Sequence, residues 1–189
     1  MSILRPRPLV LVLLLALAAA LPAAAAELAG VSMPNTATVA GQTLQLNGMG
    51  LRKKLFIKVY VAGLYLAKKS GDANAILAAD QPRQLVMHFL YGVDQGKICE
   101  AWKEGLENNR PNAGDLVTAQ FVDLCDMMED FEEGDRMVFT YDPATGTTVN
   151  VKGENKGTLA GKPFADAIFS TWIGPEPPSG DFKEGLLGE

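Results

Sequence analysis

Histidine is nearly absent from this sequence and cysteine is scarce. The single histidine is His88, and the two cysteines are Cys99 and Cys125. Tetrahedral zinc sites draw three or four protein ligands from His, Cys and acidic residues at short spacings. The spacing here fits none of them, so no metal is expected. The chain also lacks a GxSxG elbow, a Walker loop and a GxGxxG turn. That removes the common hydrolase, nucleotide and dinucleotide sites, and no cofactor is expected. Basic residues are in the minority, with 17 Lys and Arg against 22 Asp and Glu and a net charge of −5. An acidic chain with no basic stripe is repelled by phosphate backbones, which makes nucleic acid a poor partner. Long apolar runs are absent after the first one, residues 9–21, and that one is shorter than the roughly 20 residues of an easy membrane span.

What is present at the N-terminus has a recognisable order. Arg5 and Arg7 precede the apolar run, and Pro22 and four alanines follow it. Charged, apolar and small-residue regions in that order make a secretory signal peptide. Residues 1–26 are therefore expected to be removed, leaving residues 27–189 as one domain in the periplasm or outside the cell. Loss of two arginines makes the mature chain more acidic still. No cysteine flanks the expected cleavage point, which argues against a lipid anchor. Export permits disulfides. Cys99 shares a helical face with Trp102 and Leu106, and Cys125 shares one with Phe121, Leu124 and Met128. Two inward cysteines on consecutive helices fit either a bridge or a pair of buried thiols.

Hairpin strands are expected over residues 36–40 and 43–46, around Gly41-Gln42. A long strand follows over residues 55–66, with Gly63 as a candidate bulge. A short helix is expected at 73–79 and a strand at 83–91. Asp94 reads as the N-cap of a helix that runs to Asn109, ahead of Pro111. Asp115 reads as the cap of the next helix, ending near Asp130. Strands at 137–141 and 147–152 form a hairpin, and 156–159 adds a short strand. A helix with Pro163 in its first turn runs to Ile173, and a last one covers 181–187. Hairpins early and late with helices between them predict an α+β fold with a largely antiparallel sheet.

The densest information lies between Gly48 and Leu66, GMGLRKKLFIKVYVAGLYL. Side chains alternate across a strand. One parity, Leu55 to Tyr65, is core. The other holds Phe56, Lys58, Tyr60, Ala62 and Leu64, apolar except for an ammonium and a phenol. Such a face suits a pocket for a molecule with an oily body and an anionic end, and equally a half-solvated sheet face.

Three segments together resemble the chalcone isomerase superfamily. They are Gly48-Met-Gly-Leu-Arg52 with the strand after it, Asp94-Gln-Gly-Lys97-Ile98 at a helix start, and residues 162–174 followed by Pro178 and Phe182-Lys183. The match runs over nearly all of the chain after the leader. It looks closest to the bacterial exported members, not to the plant enzymes. The resemblance implies an open-faced β-sandwich, a large antiparallel sheet with a layer of helices and a cleft for an aromatic or acyl ligand. In the family's enzymes an arginine favours a phenolate nucleophile, and threonine and tyrosine side chains organise the ketone. The arginine falls on Arg52 and the substrate-positioning threonine on Thr171, but Tyr60 replaces the strand threonine. The tyrosine expected at the helix start is Asp94, and an asparagine expected farther on is Ala101. Asp94 would repel a phenolate, so the isomerase constellation is broken. In the fatty-acid-binding branch an arginine and a strand tyrosine hold the carboxylate, and Arg52 with Tyr60 resembles that pair.

The expected function is thus non-catalytic binding of a fatty acid or similar amphiphilic carboxylate, with Arg52, Tyr60, Thr171, His88 and Trp172 as candidate ligand-binding residues. His88 enters this set because the implied fold places helices on one sheet face and the cleft on the other. A lone histidine in an apolar strand is otherwise a core residue. Thr171 also has a bland reading, bonding to its own helix. Two alternatives stand beside the binding function: an isomerase or lyase acting on a polyphenol-like substrate, and an accessory interaction protein whose cleft is filled by Trp172, Phe56 and Tyr60. The acidic run from Asp123 to Asp135 lacks a calcium-loop register and reads as solvated surface. One geometric condition is decisive. Eight residues of straight strand span about 26 Å, so Arg52 and Tyr60 can share a carboxylate only if the chain turns between them, and Lys53-Lys54 is a poor turn signal.

Overall fold

The computed structural model describes residues 25–189. The expected leader lies outside the described residues except for Ala25 and Ala26, which open the first strand. Strands β1 (Ala25–Leu28) and β2 (Val31–Pro34) form a small hairpin. Seven strands then follow across one antiparallel sheet in sequence order: β3 (Thr36–Val39), β4 (Gln42–Lys54), β5 (Ile57–Leu66), β6 (Arg83–Phe89), β7 (Arg136–Asp142), β8 (Gly146–Val151) and β9 (Glu154–Leu159). The helices are α1 (Ala73–Ala78), α2 (Gln95–Asn109), α3 (Asp115–Asp126), α4 (Lys162–Ile173) and α5 (Gly180–Leu187). The expected α+β architecture is the observed one.

Two apolar cores account for the double-sided burial of β5. On one face Ala62, Leu64 and Leu66 join the main core under the helices. On the other, Val61 and Tyr65 pack with Val31 and Met33 of the β1–β2 hairpin. Gly63 belongs to that second face and is not a bulge, because its register with Met49 and Val86 is regular. A Cβ there would lie 2.4 Å from the Met33 sulfur. The glycine makes room for β2 to lie flat on the sheet.

Helix α2 buries Ile98, Trp102 and Leu106, a spacing of four that puts them on one face. Asp94 caps it by accepting from the Lys97 amide at 3.0 Å. Helix α3 starts one residue differently from expectation: Gly114 is the N-cap and Asp115 the first helical residue, with no side-chain cap. Helix α4 buries residues around most of its girth, including Phe164, Phe169 and Trp172. Its Asp166 pairs with Arg83 of β6 at 2.6 Å. The Arg83 guanidinium is clamped between the Tyr141 and Phe169 rings, 4.9 and 4.8 Å from their centroids. This buried pair ties the sheet to its central helix.

Cys99 and Cys125 do meet across α2 and α3, but as free thiols. The Cys99 sulfur lies 3.7 Å from the Cys125 carbonyl oxygen. Burial, then the neighbouring Cys99, pushes the Cys125 thiol up to about 12. Three members of the acidic run are engaged by cations or backbone: Glu129 pairs with Lys156, Asp135 with Lys152 at 3.5 Å, and Asp130 accepts from the Gln95 amide.

Candidate ligand-binding cleft

The chain turns at Leu55-Phe56, a pair without turn chemistry. The long strand expected over residues 55–66 is β5, which starts two residues later, at Ile57, while residues 47–54 extend β4. Lys54 pairs with Ile57, and Leu55 and Phe56 form a two-residue turn between β4 and β5. Arg52 and Tyr60 become direct register partners. Residues facing each other across an antiparallel pair have Cβ atoms about 4.5–5.5 Å apart, so the decisive geometric condition is met.

Two local features aim the pair. Arg52 pairs with Tyr60 but Lys53 pairs with Lys58, which leaves Val59 as an extra residue. Such a bulge redirects side chains, and Val59 and Tyr60 both line the cleft. The glycines of Gly48-Met-Gly50 provide the second feature. A Cβ at Gly50 would fall 2.4 Å from the Phe182 carbonyl oxygen, and one at Gly48 2.1 Å from that of Gly185. Helix α5 therefore lies directly on the β4 backbone, and the segment leading into it passes beside Arg52. The Arg52 Nη1 donates to the Pro178 carbonyl at 3.1 Å and to the Lys53 carbonyl at 2.6 Å. Among the described residues no carboxylate pairs with it, and its Nε and Nη2 make no hydrogen bond.

The cleft lies between the sheet and helices α2 and α4, with a volume of about 520 Å³. Small-molecule sites span roughly 300–1,000 Å³. Its apolar lining includes the rings of Tyr60, Phe89, Trp102 and Trp172. Trp102 and Trp172 meet edge to face at 5.3 Å, and Tyr60 meets Phe182 the same way at 5.7 Å. Cations Arg52, Lys54 and Lys97 line it, as do Glu104 and Glu176. Ala101 and Gly105 present little bulk from α2. A Cβ on Gly105 would already touch the Thr171 methyl at 2.9 Å.

Burial pushes the Tyr60 phenol up to about 12, against the opposing pull of the Trp172 indole and the Arg52 guanidinium. Tyr60 therefore stays protonated at neutral pH, a hydrogen-bond donor and not a base. Thr171 lines the cleft, but its hydroxyl donates to the Ile168 carbonyl at 2.7 Å, so its proton is committed to the helix. Trp172 contributes its ring.

His88 does not reach the cleft. Met87 and Phe89 line it, and alternation puts His88 on the opposite face of β6. The expectation failed because the cleft opens on the helix side of the sheet, not on the other side. There His88 accepts at Nδ1 from the Arg136 Nε at 3.3 Å. Burial and that cation hold its pKa below the usual histidine value. Asp94 does not line the cleft either. Hydrogen bonds from Lys97, to its side chain at 2.6 Å and from the backbone, hold its carboxyl low. Phe56, expected as cleft filling, is fully exposed at the hairpin tip. Lys54, Tyr91 and Lys97 were missed as lining residues. The position of Lys97, three residues after the Asp94 cap, was the available signal for the last of them.

A family model described as chalcone isomerase-like matches residues 25–188. Among solved structures, the crystal structure of a fatty-acid-binding protein from Arabidopsis thaliana superposes with a TM-score of 0.66 at 19% sequence identity, covering 84% of this chain and 92% of that one. At that identity the likeness speaks for the fold. No curated protein sequence compared with the chain matches it.

Proposed function

Because this chain belongs to the chalcone isomerase-like family, we propose that it uses the family's cleft to bind a fatty acid or a similar amphiphilic carboxylate without transforming it. The observation that carries this reading is the pairing of Arg52 with Tyr60 at a cleft with an aromatic lining. Two backbone carbonyls hold Arg52 in place. Its remaining N–H groups match a carboxylate, and charge-assisted bonds of that kind are roughly twice as strong as neutral ones. The protonated Tyr60 hydroxyl adds a third donor. Burial of the acyl chain among aromatic rings supplies most of the affinity, at ~0.8 kcal/mol per methylene. The Arabidopsis protein of similar fold is a fatty-acid-binding protein, which is consistent with this assignment.

The isomerase reading has less support. Asp94 stands where the resemblance expects a tyrosine, and it does not line the cleft but pairs with Lys97 at the rim. The filled-cleft reading is weakened by the open volume and by the outward Phe56. An exported location belongs to the same proposal, with residues 1–26 as the leader. N-terminal sequencing of the natural protein tests that part. Native mass spectrometry of the gently purified protein, with thermal shifts against acids from laurate to stearate, tests the binding. A co-purifying lipid or a chain-length-dependent stabilisation is expected. Absence of both contradicts the proposal, and conversion of a chalcone to a flavanone would favour the enzyme.

A further inference from the structure

The β4–β5 turn carries the most exposed large apolar side chains of the described residues. Phe56 is 100% exposed and Leu55 89%, with Ile57 beside them at 43%. Leu55 also has a φ of +55°, a backbone region that favours glycine and penalises a bulky side chain. A hairpin turn needing only to reverse the chain is better served by glycine or asparagine. Strain combined with exposure is a cost to the fold, and it points to a use outside it.

Charge identifies the partner. Residues 52–58 read Arg-Lys-Lys-Leu-Phe-Ile-Lys, four cations and no acid, in a chain whose net charge is −5. Lys53, Lys54 and Lys58 are exposed, and among the described residues none of them makes an ion pair. An apolar tip ringed by unpaired lysines matches a bilayer containing anionic phospholipid, with the rings in the acyl boundary and the ammonium groups among phosphates. The acidic remainder of the surface is repelled, which orients the molecule tip-first.

The tip is continuous with the cleft. Lys54 and Ile57, the register pair that closes the turn, both line it. So does Tyr91, 52% exposed, a residue type suited to the membrane interface. We infer that the β4–β5 hairpin is a membrane-docking finger that seats the cleft mouth on an anionic bilayer, so that an acid leaving the lipid head-first meets Arg52. The delivery of an acid to Arg52 rests on the ligand reading above, whereas the docking itself is carried by Leu55, Phe56 and the three lysines.

The test is vesicle flotation with phosphatidylcholine vesicles, with and without phosphatidylglycerol, using the wild type and a Leu55→Gly/Phe56→Asn variant. That pair of residues suits a turn whose first position has positive φ, so the variant should be at least as thermally stable as the wild type. The expected result is binding that requires phosphatidylglycerol, weakens at high salt, and drops at least about tenfold in the variant. The variant should still bind a soluble acid such as laurate offered from solution, since neither residue lines the cleft. Lack of wild-type vesicle binding, or equal binding by the variant, overturns the inference and leaves the cleft reading untouched. Self-association through the tip without vesicles, seen by sedimentation and lost in the variant, also overturns it in favour of a second copy as the occupant. Vesicle binding that depends on the tip, in a protein that binds no acid, would uphold the finger and sink the ligand reading alone.

Discussion

Arg52 and Tyr60, eight positions apart in sequence, face each other across β4 and β5 because Leu55 and Phe56 reverse the chain between them. Two consequences follow. A cation held by backbone carbonyls stands beside a phenol that burial keeps protonated. The pair also sits at a cleft whose apolar lining has room for a chain. A half-buried cation and a buried phenol are each ordinary alone, and their juxtaposition is what the proposed carboxylate seat rests on.

The Tyr60 proton gives a pH signature. Its folded-state pKa lies near 12, above the ordinary 10.0. A raised pKa means that the folded state keeps a proton the unfolded state has lost. The stability linked to that proton is fully present below pH 10 and declines as pH rises toward 12. Denaturant unfolding across that window should show a smaller loss for Tyr60→Phe than for the wild type. Parallel losses would show that Tyr60 is not held protonated. Comparison with the variant is needed because Tyr65 and Tyr141 are also raised.

Cleft volume should set chain length. Ala101 is exposed on α2 and lines the cleft. Ala101→Trp should cost less than about 1 kcal/mol of stability, as exposed helical sites usually do. It should shift preference from long acids toward short ones in a thermal-shift series. An unchanged preference would mean that the acyl chain lies elsewhere.

The Arg83–Asp166 pair is structural and away from the cleft. Asp166→Ala leaves a guanidinium 98% shielded from solvent with its charge unpaired. Breaking a buried pair on one side costs about 3–5 kcal/mol. Chemical denaturation should register that loss, while acid affinity of the remaining folded protein stays near the wild-type value.

Local chemistry made much of the fold legible. The Asp94 cap, the stop before Pro111 and the helix opening at Pro163 are short-range signals, and each marks a real boundary within a residue or so. The β4–β5 turn was opaque because neither Lys53-Lys54 nor Leu55-Phe56 is turn chemistry. Leu55 takes its positive φ against its own preference, so the continuation of β4 to Lys54 and the reversal after it carry no local signal. The β1–β2 hairpin fell next to the expected leader and was not anticipated. His88 shows a different limit. Alternation correctly groups it with Val86 and Leu90 and separates it from Met87 and Phe89. Which face of β6 meets the cleft depends on where α2 and α4 pack, and no period within β6 encodes that. Arg52, Tyr60, Thr171 and Trp172 do come together at one cleft, because the motifs that named them surround it.

The most direct measurement is calorimetric affinity for one acid, palmitate or laurate, in the wild type, Arg52→Ala and Arg52→Lys, with the matching fatty alcohol as control. Hydrogen bonds to a charged group contribute about 1.5–3 kcal/mol. Arg52→Ala should therefore weaken acid binding by about ten- to a hundredfold, with Arg52→Lys between them and the alcohol weak throughout. Equal affinity for acid and alcohol, or no loss in Arg52→Ala, would contradict the carboxylate seat.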